Sequence, residues 1–181
     1  MASTTRVLVL PGWQNSGPDH WQSRWERAHG FVRVQQDDWM TPRRGDWLAR
    51  LDEALLAEPA PVLLAAHSLG CQLVAAWAAH SRHTARAAGA LLVAPPDTER
   101  ADTPGAIAGA WRRIERGRLP FAATVVASSD DPYCAIERAR EMAGHWGARF
   151  VDVGARGHVN ADSGLGDWPE GLALLRALEI P

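Results

Sequence analysis

The stretch that decides the fold reads Val62-Leu63-Leu64-Ala65-Ala66-His67-Ser68-Leu69-Gly70-Cys71. An apolar run of strand type leads directly into an apolar run of helix type, and Ser68 stands at the junction. A sharp strand-to-helix turn strains the backbone of its central residue and requires very small residues two positions to either side. Ala66 and Gly70 meet that requirement. The segment is a variant of the G-x-S-x-G nucleophile elbow, which makes Ser68 the candidate nucleophile.

Taken alone, A-x-S-x-G is a weak pattern, because a serine that begins a helix is commonly only its N-cap. The preceding strand and the following apolar helix favour the catalytic interpretation. The N–H of Leu69, at the start of that helix, is expected to donate to an oxyanion. His67 is expected to pack in the turn, since a histidine next to the serine in sequence rarely has the geometry to deprotonate it.

Outward from the elbow, short apolar runs alternate with helix-like stretches. The runs predict strands at 6–10, 31–35, 61–66, 89–94, 122–128 and 148–153. The stretches between them predict helices at 18–29, 45–57, 69–80, 132–146 and 168–178, with start signals at Asp46, Pro132 and Pro169. Nearly continuous apolar strands that alternate with helices favour a mostly parallel sheet covered on both faces. The predicted fold class is α/β, a three-layer α/β/α sandwich with about six strands.

Residues 95–118 are less regular, and we expect a loop and a helix there that overhang the site. The chain has no long insertion after the strand at 89–94, which predicts an open site with little lid. It also has no internal repeat, low-complexity tract or Gly/Ser linker, so residues 1–181 are expected to form a single domain.

Charge and cysteine content narrow the class of partner and the compartment. The formal net charge is −2, from 19 basic and 21 acidic residues, which gives no electrostatic support for a nucleic acid or a membrane surface. A small organic substrate fits better. Met1 to Thr5 carry no targeting signal, and no apolar run is long enough to cross a bilayer. Cys71 and Cys134 are the only cysteines, so we expect a reducing compartment, the cytoplasm.

A candidate acid and a candidate base follow the elbow in chain order. Asp131 comes after the strand at 122–128 and is the preferred acid. Asp130 is its rival, because adjacent carboxylates point in different directions, and one of the two could simply cap the helix predicted at Pro132. His158 lies in a glycine-flanked loop after the last strand and is the candidate general base.

The remaining histidines fit a catalytic role less well. His80 and His83 form H-x-x-H, but no further acid or cysteine stands in register, so a solvated surface pair is expected rather than a metal site. His20, His29 and His145 are assigned to helices, and only His20 falls near the predicted active edge. Neither a metal nor a cofactor is required by the predicted chemistry.

The loop after the first strand is expected to supply the second oxyanion donor. It reads Leu10-Pro11-Gly12-Trp13-Gln14-Asn15-Ser16-Gly17-Pro18, and the backbone N–H of Trp13 or Gln14 would donate. A dinucleotide site is a poor alternative, because G-x-G-x-x-G is absent. Asn15, His20 and Trp21 are candidates for lining the substrate pocket. Trp21 and Trp25 share a helical face, and for this pair core packing is narrowly favoured over a substrate wall.

Several short motifs together carry a family resemblance. They are Pro11-Gly12-Trp13, His20-Trp21-Gln22 with Trp25, Asp38-Trp39 with Pro42, His67-Ser68-Leu69-Gly70, Asp131-Pro132-Tyr133, and Gly157-His158-Val159-Asn160 with Ser163-Gly164. In this combination the chain resembles the small, lidless α/β-hydrolases of the YdeN and retinoblastoma-binding-protein-nine family, over nearly its whole length. The resemblance implies a compact sheet between helices and a triad of Ser68, Asp131 and His158. It implies no particular substrate.

Two departures from the family pattern matter. Cys71 stands where a glycine commonly follows the Ser-Leu-Gly turn, which narrows the space behind the elbow. The L-x-C-x-E motif for retinoblastoma binding is not reproduced, because the segment that begins at Leu69 ends in Leu73. A retinoblastoma-type partner is therefore not expected.

The sequence predicts a serine hydrolase of carboxylesterase type that acts on a small ester, or less favourably an amide, through an acyl-enzyme on Ser68. Two alternatives stay open. A binding protein could keep this fold without its chemistry, because a fold does not confer an activity. An acyltransferase could use the same residues with an acceptor other than water.

Overall fold

A parallel sheet forms the centre of the molecule in the computed structural model, which describes residues 5–179. Positions 1–4, on which the expectation of no targeting signal also rests, lie outside the described residues. Within residues 5–179 the sheet has six strands: β1 (Val7–Leu10), β2 (Val32–Arg33), β3 (Val62–His67), β4 (Ala87–Val93), β5 (Ala122–Ala127) and β6 (Arg149–Asp152). Their spatial order is β2-β1-β3-β4-β5-β6, and all neighbouring pairs are parallel.

Helices cover both faces of the sheet. The described residues form α1 (Trp21–His29), α2 (Arg44–Ala57), α3 (Leu69–His80), α4 (Gly105–Trp111), α5 (Ile136–Trp146) and α6 (Pro169–Arg176). The core on one face contains residues of α2, α3, α4 and α5, and the core on the other face contains residues of α1 and α6. The predicted three-layer α/β/α sandwich is confirmed.

The strands serve both cores because successive side chains point to opposite faces. In β1, Leu8 and Leu10 pack into the first core, and Val7 and Val9 pack into the second. This double burial explains why the strands read as continuous apolar runs. Most of the tryptophans fill the space between sheet and helices, and six of them are almost fully buried: Trp21, Trp25, Trp47, Trp77, Trp111 and Trp146.

The start predicted for the helix at 132–146 is wrong, because α5 begins at Ile136. A carboxylate oxygen of Asp131 accepts a hydrogen bond from the N–H of Tyr133 at 2.9 Å, which closes a side-chain turn over Pro132. The chain becomes helical only after Ala135, whose backbone is extended. Pro169, in contrast, occupies the first turn of α6 as predicted.

The strand order places a crevice at one edge of the sheet. From β1 the chain leads to β2 on one side and later to β3 on the other, so the two loops that leave β1 and β3 diverge. In open α/β sheets ligands bind outside the carboxyl ends of the strands at such a point. None of the helices in residues 5–179 has the length and apolar character needed to cross a membrane.

Candidate active site

Ser68 sits in a strained turn between β3 and α3. Its φ of 53° and ψ of −125° lie outside the usual regions for a residue with a side chain. Its hydroxyl makes no capping bond to α3. Ser68 Oγ lies 2.8 Å from Nε2 of His158 instead. The side chain is therefore not an N-cap, which was the alternative that the pentapeptide alone left open.

Two glycines allow the backbone to pack closely around Ser68. A Cβ added at Gly70 would lie 2.3 Å from the carbonyl oxygen of Leu10, inside any tolerable contact distance. A Cβ at Gly12 would lie 2.8 Å from Cβ of Ser68. Gly70 thus lets α3 approach the end of β1, and Gly12 lets the loop after β1 approach the serine.

The structure distinguishes between the two adjacent carboxylates. Nδ1 of His158 lies 2.9 and 3.0 Å from the two carboxylate oxygens of Asp131. Asp130 instead accepts hydrogen bonds from the hydroxyl of Ser128 and from the N–H of Gly157, both at 2.7 Å. These two bonds hold the pKa of Asp130 below its usual value. Asp131 meets the imidazole, and Asp130 fixes the loop that carries it.

The peptide backbone at His158 is fixed by side chains from two other elements. Nε2 of His67 donates to the carbonyl oxygen of His158 at 2.9 Å. The indole N–H of Trp21 donates to the carbonyl oxygen of Val159 at 2.9 Å. Val159 has a φ of 49°, which is unfavourable for a β-branched residue. Sequence reasoning did not find either contact, because the partners are 91 and 138 residues apart in the chain.

Gln14 is wrong as an oxyanion donor. Its backbone N–H donates to the carbonyl oxygen of Trp39 at 3.0 Å and so is already engaged. Trp13 remains the candidate on this loop, opposite Leu69 at the first position of α3. The close approach of the loop to the elbow is visible at Gly12, where an added Cβ would lie 3.0 Å from the backbone nitrogen of Leu69.

Of the three candidate pocket residues, two line the cleft and one lies in the core. Trp21 is wrong as a pocket residue, because it is only 1% exposed and packs in the core with Trp25. Asn15 lines the cleft, and its side-chain oxygen accepts from Nη1 of Arg33 at 2.8 Å. His20 also lines the cleft, at the N-cap of α1 rather than within the helix.

The imidazole of His20 is buried and neutral. Its Nδ1 accepts a hydrogen bond from the N–H of Gln22 at 3.1 Å, and its Nε2 is buried without a hydrogen-bond partner. Burial, with the charges of Arg33 and His158 acting in the same direction, lowers the pKa of His20 to about 3. His20 therefore carries no charge near neutral pH.

A cleft of about 430 Å³ opens above Ser68. Thr103, Pro104 and Ile107, from the start of α4 and the loop before it, line one side of the cleft. This places α4 over the site as predicted for residues 95–118. Tyr133 lines the cleft near the base, with its ring centroid 4.6 Å from that of His158.

Comparison with known proteins identifies a family and a fold. A family model described as serine hydrolase matches residues 7–177. The chain belongs to the serine hydrolase family. No curated protein matches this serine hydrolase in sequence.

Among solved structures, a protein from Pectobacterium atrosepticum described as a YdeN-like hydrolase is 30% identical to this serine hydrolase. The match covers 97% of this chain and 90% of that one, with a TM-score of 0.85. The ydeN gene product of B. subtilis is 21% identical, with 97% and 98% covered and a TM-score of 0.74. An esterase from a Rhodococcus species is 14% identical, with 97% and 91% covered and a TM-score of 0.69, and shares the fold. The predicted relationship to YdeN-like α/β-hydrolases is confirmed.

Other reactive side chains of this serine hydrolase lie outside the site or are inert. Cys71 and Cys134 are buried free thiols, and burial raises the pKa of Cys71 and brings that of Cys134 to about 12. His83 contacts Asp52 at 2.9 Å, and His80 contacts Glu115 at 3.3 Å. The H-x-x-H pair thus has carboxylate partners that the sequence register did not reveal. Residues 5–179 contain no group of three or more histidine, cysteine, aspartate or glutamate side chains that could hold a metal ion.

Proposed function

We propose that this serine hydrolase cleaves a small carboxylic ester through an acyl-enzyme on Ser68. The observation that carries the proposal is the unbroken chain of contacts from Ser68 Oγ to His158 Nε2, at 2.8 Å, and from His158 Nδ1 to Asp131, at 2.9 Å. The first distance is within the range that proton transfer to a general base requires, and the second is that of a hydrogen bond that can hold the imidazole in its tautomer. The side chains of His158 and Asp131 are 10% and 3% exposed, so little water competes for the contact between them.

In the first half of the reaction, Ser68 Oγ attacks the ester carbonyl carbon while its proton passes to Nε2 of His158. The carboxylate of Asp131 stabilises the imidazolium that forms. The tetrahedral oxyanion accepts hydrogen bonds from the N–H groups of Leu69 and Trp13. When the C–O bond breaks, the alcohol leaves with the proton from His158, and the acyl group remains on Ser68.

In the second half, water attacks the acyl-enzyme and gives its proton to His158. Collapse of the second tetrahedral intermediate releases the carboxylic acid and returns the proton to Ser68. All of these steps are proton transfers and acyl transfers between named groups. The proposed chemistry therefore assigns no role to a metal or a cofactor.

The cleft supports a small substrate. Its volume of about 430 Å³ lies near the lower end of the range of roughly 300–1,000 Å³ for small-molecule sites. The proposed partner is therefore a small molecule, and neither a nucleic acid nor a membrane is part of the proposal. Leu69, Cys71 and Leu73 are each at most 1% exposed, so a retinoblastoma-type partner is not part of it either. We also propose a cytoplasmic location, in keeping with the two buried free thiols.

The nucleophile is tested by labelling with a fluorophosphonate probe. We expect labelling of the wild type, none of Ser68→Ala, and full labelling of Ser129→Ala, which removes an exposed serine from the loop after β5. Loss of the serine in comparable triads costs roughly a millionfold in turnover, so ester hydrolysis by Ser68→Ala should fall to background. Equal labelling of the wild type and Ser68→Ala would refute the assignment of Ser68.

A panel of p-nitrophenyl esters from acetate to octanoate tests the substrate class. We expect the highest kcat/KM at the short end. If the wild type is not labelled by the probe and hydrolyses none of the esters, the non-catalytic binding protein is favoured. Product analysis with competing alcohols and amines distinguishes hydrolysis from acyl transfer, because a transferase would form the new ester or amide in preference to the free acid.

A further inference from the structure

Two histidines that the proposed reaction does not use, His67 and His20, lie close to the proposed base, His158. The ring centroid of His67 is 4.9 Å from that of His158 and 4.6 Å from that of His20. His67 belongs to the elbow, and His20 caps α1. Three imidazoles thus connect the start of α1, the elbow and the loop after β6.

Their hydrogen bonds determine where the protons lie. Because a carbonyl oxygen only accepts, Nε2 of His67 must carry a hydrogen to bond the His158 carbonyl at 2.9 Å. Nδ1 of His20 accepts from a backbone N–H, so a neutral His20 also carries its proton on Nε2. Burial lowers the pKa of His67 well below its usual value, and the neighbouring His20 and His158 act in the same direction. Both rings are therefore neutral, and His67 is the one whose N–H meets an acceptor.

A neutral donor suits this position. During the proposed reaction His158 becomes an imidazolium, and a second positive charge at a centroid distance of 4.9 Å would oppose it. His67 supplies an N–H without that charge. A lysine or arginine at the same place would supply a donor together with the repulsion.

The bond from His67 also fixes the distance between the nucleophile and the base. His67 is covalently adjacent to Ser68, so its contact with the His158 carbonyl ties the backbone of the base to the backbone of the nucleophile. On the far side of the same loop, Trp21 holds the carbonyl of Val159, where the backbone is strained. A displacement of about 1 Å in a reacting group can cost roughly a hundredfold in rate.

We propose that His67 is a positioning residue, which sets the separation of Ser68 Oγ and His158 Nε2 by donating a neutral N–H to the His158 carbonyl. His20 packs nearly perpendicular to its ring, at 68°, and fixes the ring orientation. The inference rests on the proposed hydrolysis at Ser68.

The kinetic test compares substitutions of His67 that keep or remove the donor. We expect His67→Met and His67→Phe to lower kcat about 10- to 100-fold with KM changed less than about twofold. His67→Gln, whose side-chain N–H₂ is a neutral donor of similar reach, should recover most of kcat. His29→Phe, at the opposite end of α1 from the cleft, is the matched control and should match the wild type. Wild-type kcat in His67→Met and His67→Phe would overturn the proposal, as would a His67→Gln variant no better than they are.

A spectroscopic test is independent of turnover. In the wild type, the proton on Nδ1 of His158 that is shared with Asp131 should give a low-field ¹H resonance. We expect the resonance to shift or broaden in His67→Met and to remain in His67→Gln, with thermal unfolding confirming that each variant is folded. Identical His158 spectra in the wild type and both donor-free variants would overturn the positioning role. Failure of the wild type to label or hydrolyse would refute the proposed function alone, since these spectra need no substrate.

Discussion

Two adjacent carboxylates in one loop have different hydrogen-bond partners. Asp131 points to the imidazole of His158, whereas Asp130 accepts from Gly157, in the loop that carries that imidazole, and from Ser128 at the end of β5. In the proposed reaction, Asp131 holds the tautomer of His158 and stabilises its positive charge. Asp130 is placed to hold the backbone that presents the base.

Substitution of the two carboxylates by amides should separate these tasks. We expect Asp131→Asn to lower kcat about ten-thousandfold, as in comparable triads, because an amide favours the wrong tautomer of the base. Asp130→Asn should lose far less, since its amide oxygen can still accept from Gly157. The measurement is kcat on p-nitrophenyl acetate. Equal losses in the two variants would contradict the assignment of Asp131.

Single residues also show how far the sequence could lead. Ser68, Asp131 and His158 were predicted because each follows a strand in the required chain order, and strand ends are visible as local apolar patterns. The prediction for Gln14 is wrong because its N–H donates to the carbonyl oxygen of Trp39, a contact 25 positions away that no local pattern encodes. Trp21 packs in the core, as narrowly favoured for the pair with Trp25, and only its place among the pocket candidates is wrong. Its indole bonds Val159, a contact that no local pattern encodes.

At the scale of elements, the elbow depends on how closely α3 can approach β1. Gly70 is the point of closest approach, with the carbonyl of Leu10 where a side chain would be. Gly144 in α5 offers a matched comparison, because a Cβ there would meet nothing within 4 Å. Both glycines lie inside helices, so the difference between them is packing alone.

Alanine at these two positions should have opposite effects on stability. We expect Gly70→Ala to lower the free energy of unfolding by about 1–3 kcal/mol or more, because the helix must move away from the strand. Gly144→Ala should be neutral or stabilising by up to about 1 kcal/mol, because alanine is the better helix former. Urea denaturation measures both values. A Gly70→Ala protein as stable as the wild type would show that the elbow tolerates a wider spacing.

Element boundaries were predicted well where one local signal dominates. Helix α3 spans Leu69–His80, which are the residues predicted from its apolar run. Helix α5 was predicted to start four residues early, because Pro132 is a start signal that the side-chain turn at Asp131 overrides. The strand predicted at 31–35 is reduced to Val32–Arg33, at the edge of the sheet where only β1 offers a pairing partner.

At the scale of the whole molecule, a single sheet joins the two apolar cores. Tryptophans lie in both of them, with Trp47 and Trp111 in one and Trp25 and Trp168 in the other. Since every strand between them belongs to the same sheet, we propose that the chain unfolds as a single domain.

Unfolding should therefore be one cooperative transition. We expect far-UV circular dichroism, which reports helices and strands, to coincide with tryptophan fluorescence, which reports both cores. Trp25→Phe and Trp111→Phe, each of which removes one of the several tryptophans of one core, should leave the two curves coincident. Separate midpoints for the two probes would contradict a single domain.

The buried imidazoles should make stability depend on pH. The pKa of His20 is about 3 in the folded protein, against 6.5 for an ordinary histidine, and that of His67 is also lowered. Between these values the unfolded chain binds protons that the folded chain does not. The contribution of His20 to stability is complete above about pH 6.5 and is lost as the pH falls toward 3, by about 1.4 kcal/mol per pH unit. His67 acts in the same direction.

Urea denaturation from pH 7.5 to pH 5 measures this slope. The matched variant is His20→Asn, because asparagine can keep the N-cap of α1 but does not titrate. We expect its stability to fall with decreasing pH less steeply than that of the wild type. If the stability of His20→Asn depends on pH as steeply as that of the wild type, His20 does not contribute to the pH dependence.

The position of Tyr133 has a practical consequence. It is the only tyrosine in the sequence, half-exposed at the cleft, with its ring against the imidazole of His158. Biosynthetic replacement of tyrosine by fluorotyrosine therefore introduces a single ¹⁹F nucleus, and that nucleus lies beside the proposed base. Its resonance should report both the charge of His158 and the formation of an acyl-enzyme on Ser68. None of the proposed catalytic side chains is altered by the replacement.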